Sequence, residues 1–194
     1  MSALYAILDF SGTMAVVDEK RALQRCSRAT GLEMEALMEL TFRPDPTKFD
    51  QATMAACENI IIDEIRQARP IIGVKKAIRA LKQRNYTIVI SSNGSAEAID
   101  RWLLENRLSQ YLYLVFGRED GSKDKHFEQL ARIEEIDHWL YVADSPKDFL
   151  PLEKWTGVTQ VAVSARPGDI YPGRVKVFDG PFSAEIVHLV AIGG

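Results

Sequence analysis

Apolar and polar positions along this chain fall into two alternating rhythms. Short apolar runs occur at 4–8, 86–91, 111–116, 139–143 and 158–163, each closed by polar residues or glycine. Runs of this length, rich in Val, Ile, Leu and Tyr, read as strands buried on both faces. Between them the apolar positions repeat at helical spacing. This predicts helices over 74–84, with Ala77, Ile78 and Leu81 inward, and over 96–106, 123–136 and 146–155. The tail is rich in Gly and Pro; it suggests an edge strand at 175–178 and a closing helix over 184–191. Strands alternating with helices predict an α/β fold with a doubly wound parallel sheet.

The alternation is interrupted directly after the first strand. From 16 to 72 the pattern is helical throughout. Asp18 is placed to cap a helix running to Thr30, with Leu23, Cys26 and Thr30 on one face and Gly31 as its stop. A short helix is expected over 33–40, and Arg43-Pro44-Asp45-Pro46 then breaks the chain. Asp45 is the expected cap of the next helix, with Pro46 in its first turn. That helix carries two apolar stripes, Phe49-Ala52-Ala56-Ile60 and Met54-Cys57-Ile61-Ile65, and should end before Pro70. A face that wide suits a small helical bundle. The expected organisation is an α/β core from 1–15 and 73–194, with an inserted helical cap at 16–72.

Composition narrows the function classes. The 194 residues are 46% hydrophobic and 26% charged, ordinary for a soluble domain with a substantial core. A net charge of −3 does not favour nucleic acid or an anionic membrane as partner. No apolar run reaches the length of a membrane span, and the first residues lack the charged start of a signal peptide. Cys26 and Cys57 lie far apart in helical patterns, so no disulfide framework is expected and a reducing cytoplasm is the expected location. His126, His138 and His188 show no ligand spacing and are expected at the surface or at helix ends.

Chemistry enters at the strand ends. In an open parallel sheet, ligands bind beyond the carboxyl ends of the strands. Three of those ends carry polar clusters: Asp9-Phe10-Ser11-Gly12-Thr13, Ser92-Asn93-Gly94 and Asp144-Ser145-Pro146-Lys147-Asp148. Gly121-Ser122-Lys123 lies between the last two. Asp9 closes an apolar strand, with Gly12 able to turn the chain tightly, and is a candidate nucleophile or metal ligand. Asp144 closes another strand in the same way. Simpler roles stand beside these: a turn for Ser92-Asn93-Gly94, and a solvated first-turn carboxylate for Asp148. Lys123 and Lys125 are alternatives for a phosphate-binding cation; Lys123 is favoured because it follows a Gly-Ser turn at the helix start.

The order strand-Asp, strand-Ser, Lys, strand-Asp-x-x-x-Asp resembles the four motifs of the haloacid dehalogenase superfamily, and the resemblance spans the whole chain. It implies a core with a small, C1-type helical cap. It also implies a small phosphorylated substrate, with Asp9 as the nucleophile that becomes an aspartyl-phosphate. Charge on the phosphoryl oxygens would be met by Lys123, the Ser92 hydroxyl and the N–H groups of the Asn93-Gly94 turn. The cofactor implied is Mg²⁺, a cation that prefers oxygen ligands. It would be held by Asp9, Asp144 and the backbone carbonyl of Ser11, with Asp148 close by or acting through water.

Ser11 departs from the pattern of the phosphatases, which have a second aspartate there as general acid and base. A serine hydroxyl near neutral pH is no substitute, and such catalysis is typically worth about 10²–10⁴-fold. The expectation is therefore a slow Mg²⁺-dependent phosphatase. Two alternatives stay open. One is an impaired domain that binds a phosphorylated ligand or a protein partner. The other is a C–P hydrolase resembling phosphonoacetaldehyde hydrolases (D-W-A-G-T in this motif), for which Lys48 is the candidate Schiff-base lysine. P-type ATPases, with D-K-T-G-T, also lack the second aspartate and suggest a long-lived phosphoenzyme. Dehalogenases of the superfamily need no Mg²⁺, so the retained Asp144 and Asp148 argue against that reaction. Met14, Phe42, Arg43 and Lys48 are the residues expected to face the substrate from the cap.

Overall fold

The computed structural model describes residues 3–42, 49–136 and 138–191. In chain order its elements are β1 (Leu4–Leu8), β2 (Ala15–Val16), α1 (Glu19–Thr30), α2 (Met34–Phe42), α3 (Gln51–Gln67), β3 (Arg69–Pro70), α4 (Val74–Gln83), β4 (Thr87–Ser91) and α5 (Ala96–Glu105). Then follow β5 (Leu112–Phe116), α6 (Lys123–Ile133), β6 (His138–Ala143), β7 (Val158–Ala162), β8 (Lys176–Val177) and α7 (Ala184–Ala191).

Six strands form one sheet in the order β5-β4-β1-β6-β7-β8, every neighbouring pair parallel. β1 lies between β4 and β6, with Leu8 opposite both Ile90 and Val142. Its side chains alternate between two cores. Ala6 and Leu8 pack with Ile78, Ile99, Trp102 and Val187 from α4, α5 and α7. Tyr5 and Ile7 pack with Phe127 and Leu130 of α6 and with Phe149. Both faces are covered, which is why the strand is apolar at every position rather than at alternate ones.

The helical insert has a small core of its own, in which Cys26, Leu37 and Cys57 are buried among Leu23, Leu32, Met54, Ile60 and Ile61. Asp18 caps α1 by accepting from the Arg21 N–H at 2.9 Å, and Gly31 ends it with φ 72. The two ends of the insert meet in a short antiparallel ribbon, with Ala15 opposite Pro70 and Val16 opposite Arg69. The insert also leans on the core: the Trp102 indole donates to the Ala68 carbonyl at 2.7 Å.

Three sequence expectations need correction. α3 is capped by Asp50, whose carboxylate accepts from both the N–H and the hydroxyl of Thr53 at 2.8 Å; Asp45 and Pro46 lie outside the described residues. The segment after Asp144 is a 3-10 helix over Pro146–Leu152 rather than an α-helix, and it contains Pro151, which is poorly tolerated inside an α-helix. α6 ends at Ile133, with Glu134 already extended. No helix of the described residues is long and apolar enough to cross a membrane.

Candidate active site

Asp9 lies one residue beyond β1, held by its own N–H bonding the Val142 carbonyl at 2.9 Å. The chain then turns back at once: the N–H groups of Met14 and Ala15 both reach the Phe10 carbonyl, at 2.9 and 3.0 Å. Gly12 is required in this turn twice over. Its φ is 74, and a Cβ there would stand 2.0 Å from an Asp144 carboxylate oxygen. The first and last acidic motifs are thus in van der Waals contact.

Lys123 opens α6 and is 5% exposed, with Nζ 2.7 Å from Asp9 Oδ1 and 2.9 Å from Asp148 Oδ1. The Tyr141 hydroxyl stands 3.4 Å away. Lys125, half a helical turn round, is exposed. Ser92 follows β4; its N–H continues the ladder to the Phe116 carbonyl at 3.0 Å, and its hydroxyl accepts from the Gly94 N–H at 3.0 Å. Ser11 is partly exposed and donates to Glu19 Oε1 at 3.2 Å. Asp9, Ser11, Ser92, Asn93, Lys123, Asp144 and Asp148 all line one cavity of about 770 Å³, whose far wall is built by residues of α1 and α3 such as Leu23, Ile61 and Ile65.

Electrostatics in this cavity are unbalanced. Oxygens of Asp9, Asp144 and Asp148 lie within 4.8 Å of one another. Lys123 pairs with two of these carboxylates, Asp9 and Asp148, while Asp144 feels Lys123 and Arg166 without pairing with Lys123. Burial pushes the Asp9 carboxyl up to about 6; Lys123 pulls it down, while Asp148 and Asp144 push it further up. Asp144 is raised too, by burial and then by Asp148. Burial works against the Lys123 ammonium, but Asp9, Tyr141 and Asp148 hold its pKa well above the ordinary lysine value. A surplus of carboxylate oxygens in a partly desolvated cleft suits a hard, oxygen-seeking cation.

Two sequence expectations need revision here. Met14 is fully buried in the core beneath the turn, not in the cavity, because the chain folds back on Phe10. For His126 only the helix-end alternative holds: it lies in the first turn of α6 but is buried against the end of β4, not at the surface. The Phe42 side chain, Arg43 and Lys48 lie outside the described residues. Sequence reasoning also passed over Glu19, Lys20, Glu64 and Arg166, which line the cavity. The charged helical positions among them resemble any solvated helix face.

The family profile described as haloacid dehalogenase-like hydrolase matches residues 10–163, most of the chain. The chain belongs to this family. No curated protein matches it in sequence. Among solved structures, it is similar in fold to a haloacid dehalogenase-like hydrolase from Streptococcus pneumoniae, at 12% identity, TM-score 0.71, and 96% and 97% coverage of the two chains. A predicted phosphoglycolate phosphatase from Haemophilus somnus gives 14% identity, TM-score 0.71, and 97% and 98% coverage. A phospho-aspartyl intermediate analogue of phosphoserine phosphatase gives 18% identity, TM-score 0.64, and 97% and 99% coverage. In this haloacid dehalogenase-like hydrolase the three strand-end clusters and Lys123 converge, as expected of a site beyond the carboxyl edge of the sheet.

Proposed function

We propose that this hydrolase is a slow phosphatase that transfers the phosphoryl group of a small phosphorylated substrate to Asp9. The observation that carries the reading is the buried Asp9–Lys123–Asp148 triad, with Asp144 beside it, at the mouth of a cavity faced by the insert. The similar folds of a predicted phosphoglycolate phosphatase and of phosphoserine phosphatase support it. We take 16–72 as a cap over a core of 1–15 and 73–194, since the insert closes on itself through the β2–β3 ribbon. The two free, buried thiols favour the cytoplasm.

In the first half-reaction an Asp9 carboxylate oxygen bonds to phosphorus as the bond to the leaving oxygen breaks. Lys123 and the Ser92 hydroxyl meet the charge on the phosphoryl oxygens. The acidic cluster fits Mg²⁺, with Asp9, Asp144 and the Ser11 carbonyl as its holders and Asp148 adjacent; bound there, the ion supplies further neutralisation of phosphoryl charge. In the second half-reaction water attacks phosphorus, the bond from phosphorus to Asp9 breaks, inorganic phosphate leaves and the proton of the water passes to bulk solvent. Ser11 cannot accept the proton of that water as a carboxylate would, so this half limits turnover.

Ser11 also favours a second reading, a domain that binds phosphorylated ligands without turning them over. One experiment decides between them. Native protein mixed rapidly with p-nitrophenyl phosphate and Mg²⁺ should release a burst of nitrophenol, followed by slow turnover. Native and Ser11→Asp proteins that bind Mg²⁺ yet are equally inert toward every phosphate tried would hand the site to the binding reading.

A further inference from the structure

His126 is a buried titratable group that the chemistry above does not use. It lies on α6 three residues after Lys123, is 1% exposed, and stacks on Phe116 with ring centroids 5.1 Å apart. Its two nitrogens meet different partners: Nε2 is 2.9 Å from the Gly117 carbonyl oxygen, and Nδ1 is 2.9 Å from Ser91 Oγ. A carbonyl oxygen can only accept, so Nε2 carries the proton. Nδ1 of the neutral ring then accepts, and the Ser91 hydroxyl donates to it. Burial favours the uncharged ring and prevails over the Gly117 and Gly121 backbone and Asp120, which favour the charged form; Lys123 adds to the effect of burial.

The two partners are not arbitrary. Ser91 ends β4 and precedes Ser92. Gly117 sits between Phe116, whose carbonyl accepts from the Ser92 N–H, and Arg118, whose N–H donates to the Gly94 carbonyl at 2.9 Å. Residues 116–118 therefore hold both ends of the turn at 92–94. Space there is tight: a Cβ on Gly117 would stand 2.3 Å from the Ala96 nitrogen and 2.8 Å from the Gly94 oxygen. An apolar side chain of similar size would fill the volume of the imidazole but take this partner from the buried Ser91 hydroxyl and leave the Gly117 carbonyl only the Asp120 N–H at 3.1 Å.

We propose that His126, as the Nε2–H tautomer, is a positioning residue for the phosphate pocket. Through Ser91 and Gly117 it sets the turn at 92–94 in register with Lys123 on its own helix. The proposal rests on the phosphatase reading for what the pocket holds. Misplacing such groups by about 1 Å can cost on the order of 10²-fold.

Nitrogen NMR of the native protein should show an unprotonated Nδ1 and a protonated Nε2 on His126; the opposite tautomer overturns the proposal. With inorganic phosphate as probe, His126→Phe should raise the dissociation constant by about tenfold, and KM for p-nitrophenyl phosphate with it. His126→Gln, able to donate and accept, should recover part of the loss. Ser91→Ala should weaken binding too, and adding it to His126→Phe should cost little more, since both remove one linkage. If His126→Phe does not fold, His126→Gln and Ser91→Ala carry the test. Folded variants that all bind phosphate like the native protein overturn the proposal. A native protein that binds no phosphate and turns nothing over instead sinks the phosphatase reading. Positioning is then judged on the Ser92, Asn93 and Gly94 amide and Lys123 ammonium resonances, which must move in the variants if His126 sets them and stay still if it does not.

Discussion

Two clusters of buried charge face the same cavity, and they are balanced in opposite ways. At the sheet edge, Lys123 pairs with Asp9 and Asp148, and a third carboxylate, Asp144, lies beside them. In the insert the buried Glu64 carboxylate meets two arginines: Arg21, at 2.5 Å from its terminal nitrogen and 2.8 Å from Nε, and Arg25 at 2.8 Å, which also reaches the more exposed Asp63 at 3.2 Å. Burial raises carboxyl pKa values in both places. At the sheet edge it prevails, and Asp9 is pushed up to about 6. In the insert the arginines overcome it and hold Glu64 below the ordinary range. A cluster left short of positive charge costs stability and is organised to receive a cation; one in which each carboxylate meets an arginine fastens two helices. The same residue types thus serve chemistry in one place and architecture in the other.

The largest expected effect is at the sheet edge. Asp9→Asn should remove both steady-state turnover and any phosphorylated protein detectable by mass spectrometry, because no other carboxylate can take the phosphoryl group. Turnover persisting at the native rate would place the nucleophile elsewhere. Next comes Ser11→Asp, which should raise steady-state hydrolysis by up to about 10²–10⁴-fold by restoring a proton-transfer group. The gain should be smallest for leaving groups that depart easily as anions, which a comparison of p-nitrophenyl with alkyl phosphates would show.

A cation should relieve the charge surplus. At 100 times its dissociation constant, Mg²⁺ should stabilise the native protein by about 2.7 kcal/mol. A thermal melt should lose that gain in Asp144→Ala and keep it in Ser11→Ala, since only the Ser11 backbone is proposed to coordinate. Loss in Ser11→Ala would make the hydroxyl itself a ligand.

The insert cluster should respond in stability rather than rate. Arg21 and Arg25 are 52% and 36% exposed and can turn to water once released, so Glu64→Ala should cost about 1–3 kcal/mol in urea denaturation, less than breaking a fully buried pair. Smallest is its pH dependence. Glu64 has a depressed folded-state pKa, so its contribution is complete above the ordinary glutamate value of about 4.3 and is lost as pH falls through the lower folded value. The stability gap between native and Glu64→Gln proteins should therefore be constant near neutrality and close in acid; a gap that widened in acid would contradict the pairing.

Much of the site was legible because strand ends are legible. Asp9, Ser92 and Asp144 each follow an apolar run, and a parallel sheet must bring such ends to one edge. His126 left no such mark. A lone histidine in a polar helical stretch looks solvated, and nothing local records that Ser91 and Gly117, 35 and 9 residues away, will present one donor and one acceptor to it. The β2–β3 ribbon was missed because two residues per strand carry no periodicity. Met14 was misplaced because the turn that buries it is made of backbone bonds, to which side-chain patterns are blind.

By itself the sequence determined the alternation of strands and helices, the run of helices that follows the first strand and the polar residues that end the strands. These are local properties: hydrophobic period, turn chemistry and capping act within a few residues of one another. Only the tertiary structure decided which charges are paired and which are in surplus. Asp9 meets Lys123 across 114 residues, and Glu64 meets Arg21 across 43. An aspartate or glutamate in the sequence carries the same charge wherever it stands; burial and the number of cations brought against it are set by the packing of distant elements, and these decide whether it becomes a reactive group or a fastening.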